Sequence, residues 1–210
     1  MGSFSFERIK PFVFIGGLIV FLIVFVAVVS AFWPKYEERF FELGLLGRNR
    51  MAEDYYPGGN STIGVGSSVV WYIYLHNHMG SPQNVSVRVK LLNATMEAPD
   101  DRGHRPSPYD FFVEFPVSLS VDETLLVPFS WRVVDADFVN GSVLVRGLVV
   151  NNQTVGVDVW ASAEDPRLRM VFELWVYDEV SGEYRFEWES KGEVYSASVY
   201  IWFRVAESSG

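Results

Sequence analysis

The chain contains no cysteine, which excludes a disulfide framework, a thiolate metal site and a cysteine nucleophile together. Without disulfides, an exported domain must rely on a hydrophobic core of its own. Histidine is scarce, with 3 residues, so a triad or a many-imidazole site has few members to draw on. Positive charge is short as well: 17 Lys and Arg against 26 Asp and Glu give a net charge of −9. Such a surface repels phosphate backbones, so the chain is expected to bind no nucleic acid. Also missing are a glycine loop to cradle phosphate and a Gly-x-Ser-x-Gly elbow. No catalytic residue and no cofactor can be nominated, and the chain reads as non-enzymatic.

Long apolar runs are absent after residue 33, but one precedes it. Residues 12–33 read FVFIGGLIVFLIVFVAVVSAFW, without a single charge. As a helix rising about 1.5 Å per residue they would cover roughly 33 Å, enough for the hydrocarbon core of a bilayer. A cleaved signal peptide has an apolar region of only about 7–15 residues, so an uncleaved anchor is expected. Trp33 and Tyr36 stand where an interfacial aromatic belt belongs, and Lys35 can reach the headgroups. Basic residues lie on both sides, Arg8 and Lys10 before the run and Lys35, Arg39, Arg48 and Arg50 after it. Their count does not orient the helix, and that rule is weak for long translocated domains.

Asn-X-Ser/Thr sequons give the orientation. They occur at Asn60, Asn84, Asn93, Asn140 and Asn152, all after the apolar run. From 8 Asn and 24 Ser plus Thr, roughly one is expected by chance. Five imply glycosylation, and therefore an external C-terminal part. The expected layout is a cytoplasmic stub at 1–11, a transmembrane helix in lipid at 12–33, and an extracytoplasmic domain at 36–207. Glycosylation without cysteine suggests an archaeal cell surface.

Aromatic residues are plentiful, at 7 Trp, 10 Tyr and 17 Phe, and they favour pleated, half-buried surfaces. Beyond the apolar run the hydrophobic period is two. Val85, Val87, Val89 and Leu91 alternate with Ser86, Arg88 and Lys90, the pattern of a strand with one wet face. Leu168, Met170, Phe172, Leu174 and Val176 form a second inward set, and Tyr195 to Val205 a third. The run of Tyr184, Phe186 and Trp188 has the same period. Further strands are expected near 39–46, 68–76, 111–119, 123–134, 142–150 and 154–161. Nine or ten short strands separated by turn signals predict an all-β, antiparallel sandwich. Residues 94–110, ATMEAPDDRGHRPSPYD, carry three prolines and no periodicity. They predict a long exposed loop, either a spacer or a partner contact.

Several short motifs recur in a recognisable order: Phe40-Phe41-Glu42-Leu43, then Tyr56-Pro57, then an apolar strand ending in Asn77-His78-Met79-Gly80. After them come Asn84 to Val87, Phe115-Pro116-Val117 with Asp122-Glu123-Thr124, and Phe172 to Tyr177. The layout over 36–190 resembles the archaeal membrane proteins grouped as domain of unknown function 1616. The resemblance implies an immunoglobulin-like external sandwich and brings no activity with it. The chain departs from that pattern in having one membrane segment where members often carry several.

His76 and His78, two apart on a predicted strand, point the same way and could begin a zinc or copper site. A third ligand would come from His104, Asp100 or Asp101; otherwise the pair merely ends a strand. Asp178, Glu179 and Glu183 around Gly182 could hold calcium but lack the alternating ladder of a dedicated loop, which favours a solvated hairpin tip. Trp71, Trp175, Tyr200 and Trp202 are candidates for an interface, since strands apolar on both faces are either central or covered by something else. The leading expectation is an accessory or assembly subunit that binds another envelope protein or itself. The alternative is a surface module for metal or carbohydrate, with aromatic rings stacking on sugar.

Overall fold

The computed structural model describes residues 10–32 and 39–207 of the 210. Trp33, Lys35, Tyr36 and most of the expected stub therefore lie outside the described residues. The chain divides into two units, Met1–Glu37 and Glu38–Gly210.

In the first unit the described residues form a helix, α1, at Lys10–Phe32, 23 residues long. Where its side chains are described, at 15–30, they are apolar apart from Ser30, and Ile15, Leu18, Phe21, Ile23 and Phe25 are all more than half exposed. Among these described side chains no polar stripe runs along the helix. Among the described residues no helix is long and apolar enough to cross a membrane.

The second unit is all β. Its strands are β1 Phe41–Leu46, β2 Thr62–Gly64, β3 Val69–Asn77, β4 Gln83–Asn93, β5 Val113–Leu119, β6 Thr124–Val139, β7 Ser142–Val150, β8 Gln153–Ala161, β9 Arg167–Asp178, β10 Glu183–Arg185, β11 Glu187–Ser190, β12 Glu193–Ser196 and β13 Ser198–Ala206. One sheet has the order β1-β3-β6-β7-β8 and the other β2-β13-β9-β4-β5, with β10 beside β9 and a separate β11–β12 hairpin. The expected sandwich is present. It is not wholly antiparallel, because β2 pairs with β13 in parallel. The run expected as one strand over 195–205 is also divided, by Ala197, into β12 and β13.

Tight turns explain the hairpins. Asn140 and Gly141 at β6–β7, and Asn151 and Asn152 at β7–β8, all have φ between 46° and 82°. Such pairs form the turns whose twist matches that of the flanking strands. Asn151 does further work beside Pro128, which cannot donate to a ladder. Its amide nitrogen donates to Pro128 O, and its side-chain oxygen accepts from Ser130 N, both at 2.9 Å. The sheet thus continues past a proline in a central strand.

Between the sheets lies an aromatic core. Trp71 of β3 and Phe129 and Trp131 of β6 meet Phe172 of β9 and Phe203 of β13, all essentially sealed from solvent. Ring centroids are 5.1 Å apart for Trp71–Trp131 and Phe129–Phe172, and 4.9 Å for Trp131–Phe203. Burying rings of this size dominates the energetics of a small core, which answers the lack of disulfides.

The 94–110 segment does not behave as an exposed spacer. It folds back on the outer face of the second sheet and makes a partial third layer. Ser107 is buried there; its N–H donates to Glu173 Oε1 at 2.8 Å and its carbonyl accepts from Lys90 Nζ at 2.6 Å. Asp101 accepts from the Ser198 amide and hydroxyl, and Met96 O accepts from Arg169. Lys90, expected on a wet face, is consequently buried; Ser86, expected there too, is also buried and donates to Glu114 Oε1, and Leu92 and Val171 are sealed as well. Proline content gave the segment no regular structure, yet polar groups at Asp101 and Ser107 tie it down.

Candidate functional site

Two places on the domain gather residues with chemistry to offer. The first is the outer face of the first sheet at the end of β3. Asn77 is fully buried and sets the orientation of its neighbours. Its Nδ2 donates to Ser81 O and Ser120 O, and its Oδ1 accepts from Met79 N, each at 2.9 Å. With Asn77 fixed inward, the period of two turns His76 and His78 outward together. Their rings stack with centroids 3.9 Å apart, and Phe40 covers His78 at 4.4 Å.

Each imidazole is already oriented by a neighbouring strand. Glu42 of β1 and Thr124 of β6 are both register partners of His76. His76 Nδ1 lies 2.6 Å from Thr124 Oγ1, and His78 Nε2 lies 3.0 Å from Glu42 Oε1. That hydrogen bond to His78 is the main reason the Glu42 carboxyl titrates below its ordinary value, burial opposing it. Asp122, in the β5–β6 turn at φ 56°, completes the group. One ligand atom from each of His76, His78 and Asp122 lies within 4.8 Å of the others.

The third member is therefore Asp122, and not the residues the sequence suggested. His104 meets Ser196 Oγ at 3.2 Å, Asp100 pairs with Arg105 at 3.0 Å, and Asp101 caps Ser198. All three sit in the segment packed on the other sheet, which the sequence could not locate. The available signal was register: once His76 is set opposite Thr124, continuing the ladder brings Asp122 beside His78.

The second place is the outer face of the second sheet. Tyr200 is 49% exposed and packs edge-on against Trp202 at 6.1 Å. Arg167 and Arg169 lie over the Trp202 ring at 5.0 and 4.9 Å. Burial draws the Arg169 guanidinium below its usual value. Trp175 stands apart from this pair. Its ring is capped by Arg88 at 4.0 Å, and the Ser107 segment packs in between, over Glu173 and Lys90. Trp71 is removed from the interface set altogether, because it faces inward as the centre of the core. Guanidinium groups occupying the Trp202 face also leave it poorly placed to stack on a sugar.

The remaining candidates divide. Asn60, Asn84, Asn140 and Asn152 are exposed. Asn93 is half-buried, and its amide nitrogen donates to Trp160 O at 2.7 Å, so it is the least available acceptor. Asp178 is engaged by Val180 N, Ser181 Oγ and Arg185, a hairpin tip with its carboxylate already satisfied.

No family model and no curated protein matches the sequence. Among solved structures, the chain is similar to the CARDB domain of the PF1109 protein of Pyrococcus furiosus, a crystal structure in complex with di-metal ions. The identity is 11%, with 83% of this chain and 99% of that chain covered and a TM-score of 0.41.

Proposed function

We propose that this chain is a membrane-anchored β-sandwich of the cell exterior that works by binding, as an accessory or assembly subunit engaging another envelope protein or a second copy of itself. The observation that carries this reading is the strip of Tyr200, Trp202, Arg167 and Arg169. Tyr, Trp and Arg are the side chains enriched at binding hot spots. Here the guanidinium groups already rest on the rings, so less side-chain entropy is lost when a partner seals the strip.

The anchor reading rests on the uncharged run of residues 12–33 and draws support from the exposed apolar side chains of α1 between Ile15 and Val28. The external placement is supported by four exposed sequon asparagines, two of them in hairpin turns. An immunoglobulin-like assignment is supported by the chain passing repeatedly between the two sheets, at β3–β4, β5–β6 and β8–β9. The relationship to domain of unknown function 1616 rests on the motif order over 36–190.

The test is a photo-crosslinking amino acid placed at position 200 in native membranes, with position 154 on the other sheet as control. A discrete adduct from 200 and none from 154 is expected. Equal or absent crosslinking at both positions overturns the binding strip.

A further inference from the structure

We infer that His76, His78 and Asp122 form a binding site for one divalent transition-metal ion of the zinc and copper class. The site is separate from the strip on the opposite sheet, and does not depend on the reading proposed for that strip.

Three features of the geometry lead to this site. The ligand types come first: two imidazole nitrogens and one carboxylate oxygen suit zinc or copper, whereas calcium and magnesium take oxygen alone. The second is proximity across the sheet. His76 and His78 come from β3 and Asp122 from the turn before β6, so two segments about 44 residues apart in sequence converge within 4.8 Å. Tetrahedral ligation at about 2.0–2.1 Å asks for ligand atoms roughly 3.3 Å apart. Closing that difference takes rotation of the exposed Asp122 side chain and a swing of the two stacked rings, whose in-plane lone pairs run nearly parallel at a centroid distance of 3.9 Å.

The third feature is the surrounding shell. A metal-bound imidazole usually has its other ring nitrogen held by a protein oxygen, which fixes the tautomer and the ring plane. Both rings have this here, with Thr124 Oγ1 on His76 Nδ1 and Glu42 Oε1 on His78 Nε2. Each contact leaves the opposite nitrogen, Nε2 of His76 and Nδ1 of His78, to carry a lone pair toward a cation. Phe40 stacked on His78 and the inward lock of Asn77 restrain the pair further.

The test is titration of the full-length chain in detergent with Zn²⁺ by calorimetry and with Cu²⁺ by paramagnetic resonance. One equivalent is expected, with copper showing two nitrogen donors. His76→Gln, His78→Gln and Asp122→Asn should each weaken binding by at least about tenfold, while His104→Gln leaves it unchanged. Asn is chosen at 122 because it tolerates positive φ. Absence of saturable binding by the native chain overturns the site. So does copper with fewer than two nitrogen donors, or undiminished binding by the His76→Gln/His78→Gln double variant. The native chain's nitrogen count decides the matter even where a variant fails to fold.

Discussion

Lys90 and Glu173 pair at 2.9 Å with almost no solvent contact, on a sheet face that the strand pattern alone would leave wet. The backbone of Ser107 closes over them, donating to one partner and accepting from the other. A buried ion pair is weak evidence of net stability, but losing one member strands the other charge. Lys90→Met is therefore expected to cost about 3–5 kcal/mol in denaturant unfolding. The double variant Lys90→Met/Glu173→Leu should recover most of that. Limited proteolysis should cut within 97–106 faster in the single variant, because Ser107 loses its donor.

Asn77 holds the β3–β4 and β5–β6 turns together from inside. Replacing it by Ala leaves the Ser81 and Ser120 carbonyls and the Met79 amide without their partner. Unsatisfied buried groups cost about 1–3 kcal/mol each at most, so thermal unfolding of Asn77→Ala should show a loss of roughly 3 kcal/mol overall.

Gly47 admits no side chain. A Cβ there would lie 1.8 Å from the backbone oxygen of Glu53, inside the turn closed by Gly47 N donating to Met51 O. Gly47→Ala should destabilise by about 1–3 kcal/mol through forced backbone movement. Gly192→Ala, where nothing lies within 4 Å but φ is 80°, should be milder, at roughly 1 kcal/mol. Paired melts of the two variants check the order.

Several carboxylates titrate below their ordinary values in the folded chain. Asp165 is drawn down to about 2 by the Arg167 guanidinium, Asp100 chiefly by the Gly103 amide, Asp178 by the Val180 amide and Glu42 by His78. Because the folded pKa is the lower one, the stabilisation is complete above the unfolded values near 4 and is lost as pH falls through the folded ones. Melting temperature should therefore vary little through this cause above about pH 5 and fall steadily from pH 4 toward pH 2. A melt series across that range checks it.

Much of the sandwich could be read from the period-two runs, because each sheet has an inner face that must be apolar. Val85 to Leu91 and Leu168 to Val176 pointed inward as expected. Strand β2 was not legible: three residues, Thr62 to Gly64, carry no alternation, and their partner β13 lies about 140 positions away. Lys90 was misplaced for a related reason. Its neighbours in sequence say which face it takes, but not that Ser107 will cover that face. Of the candidate site, His76 and His78 were visible from spacing, while Asp122 depended on a strand register that composition does not encode. Trp71 read as an outward ring because its strand is apolar on both sides; the choice of side belongs to the core, where Trp131 and Phe172 complete it.

The central claim, an anchored external subunit that binds through the Tyr200–Trp202 strip, is tested most directly by gentle detergent extraction from native membranes. The chain should leave in stoichiometric association with one other envelope protein or a second copy of itself. The Tyr200→Ala/Trp202→Ala variant should leave alone with its fold intact. A native chain that emerges monomeric and unpartnered, or a variant that retains its partner, would contradict the account.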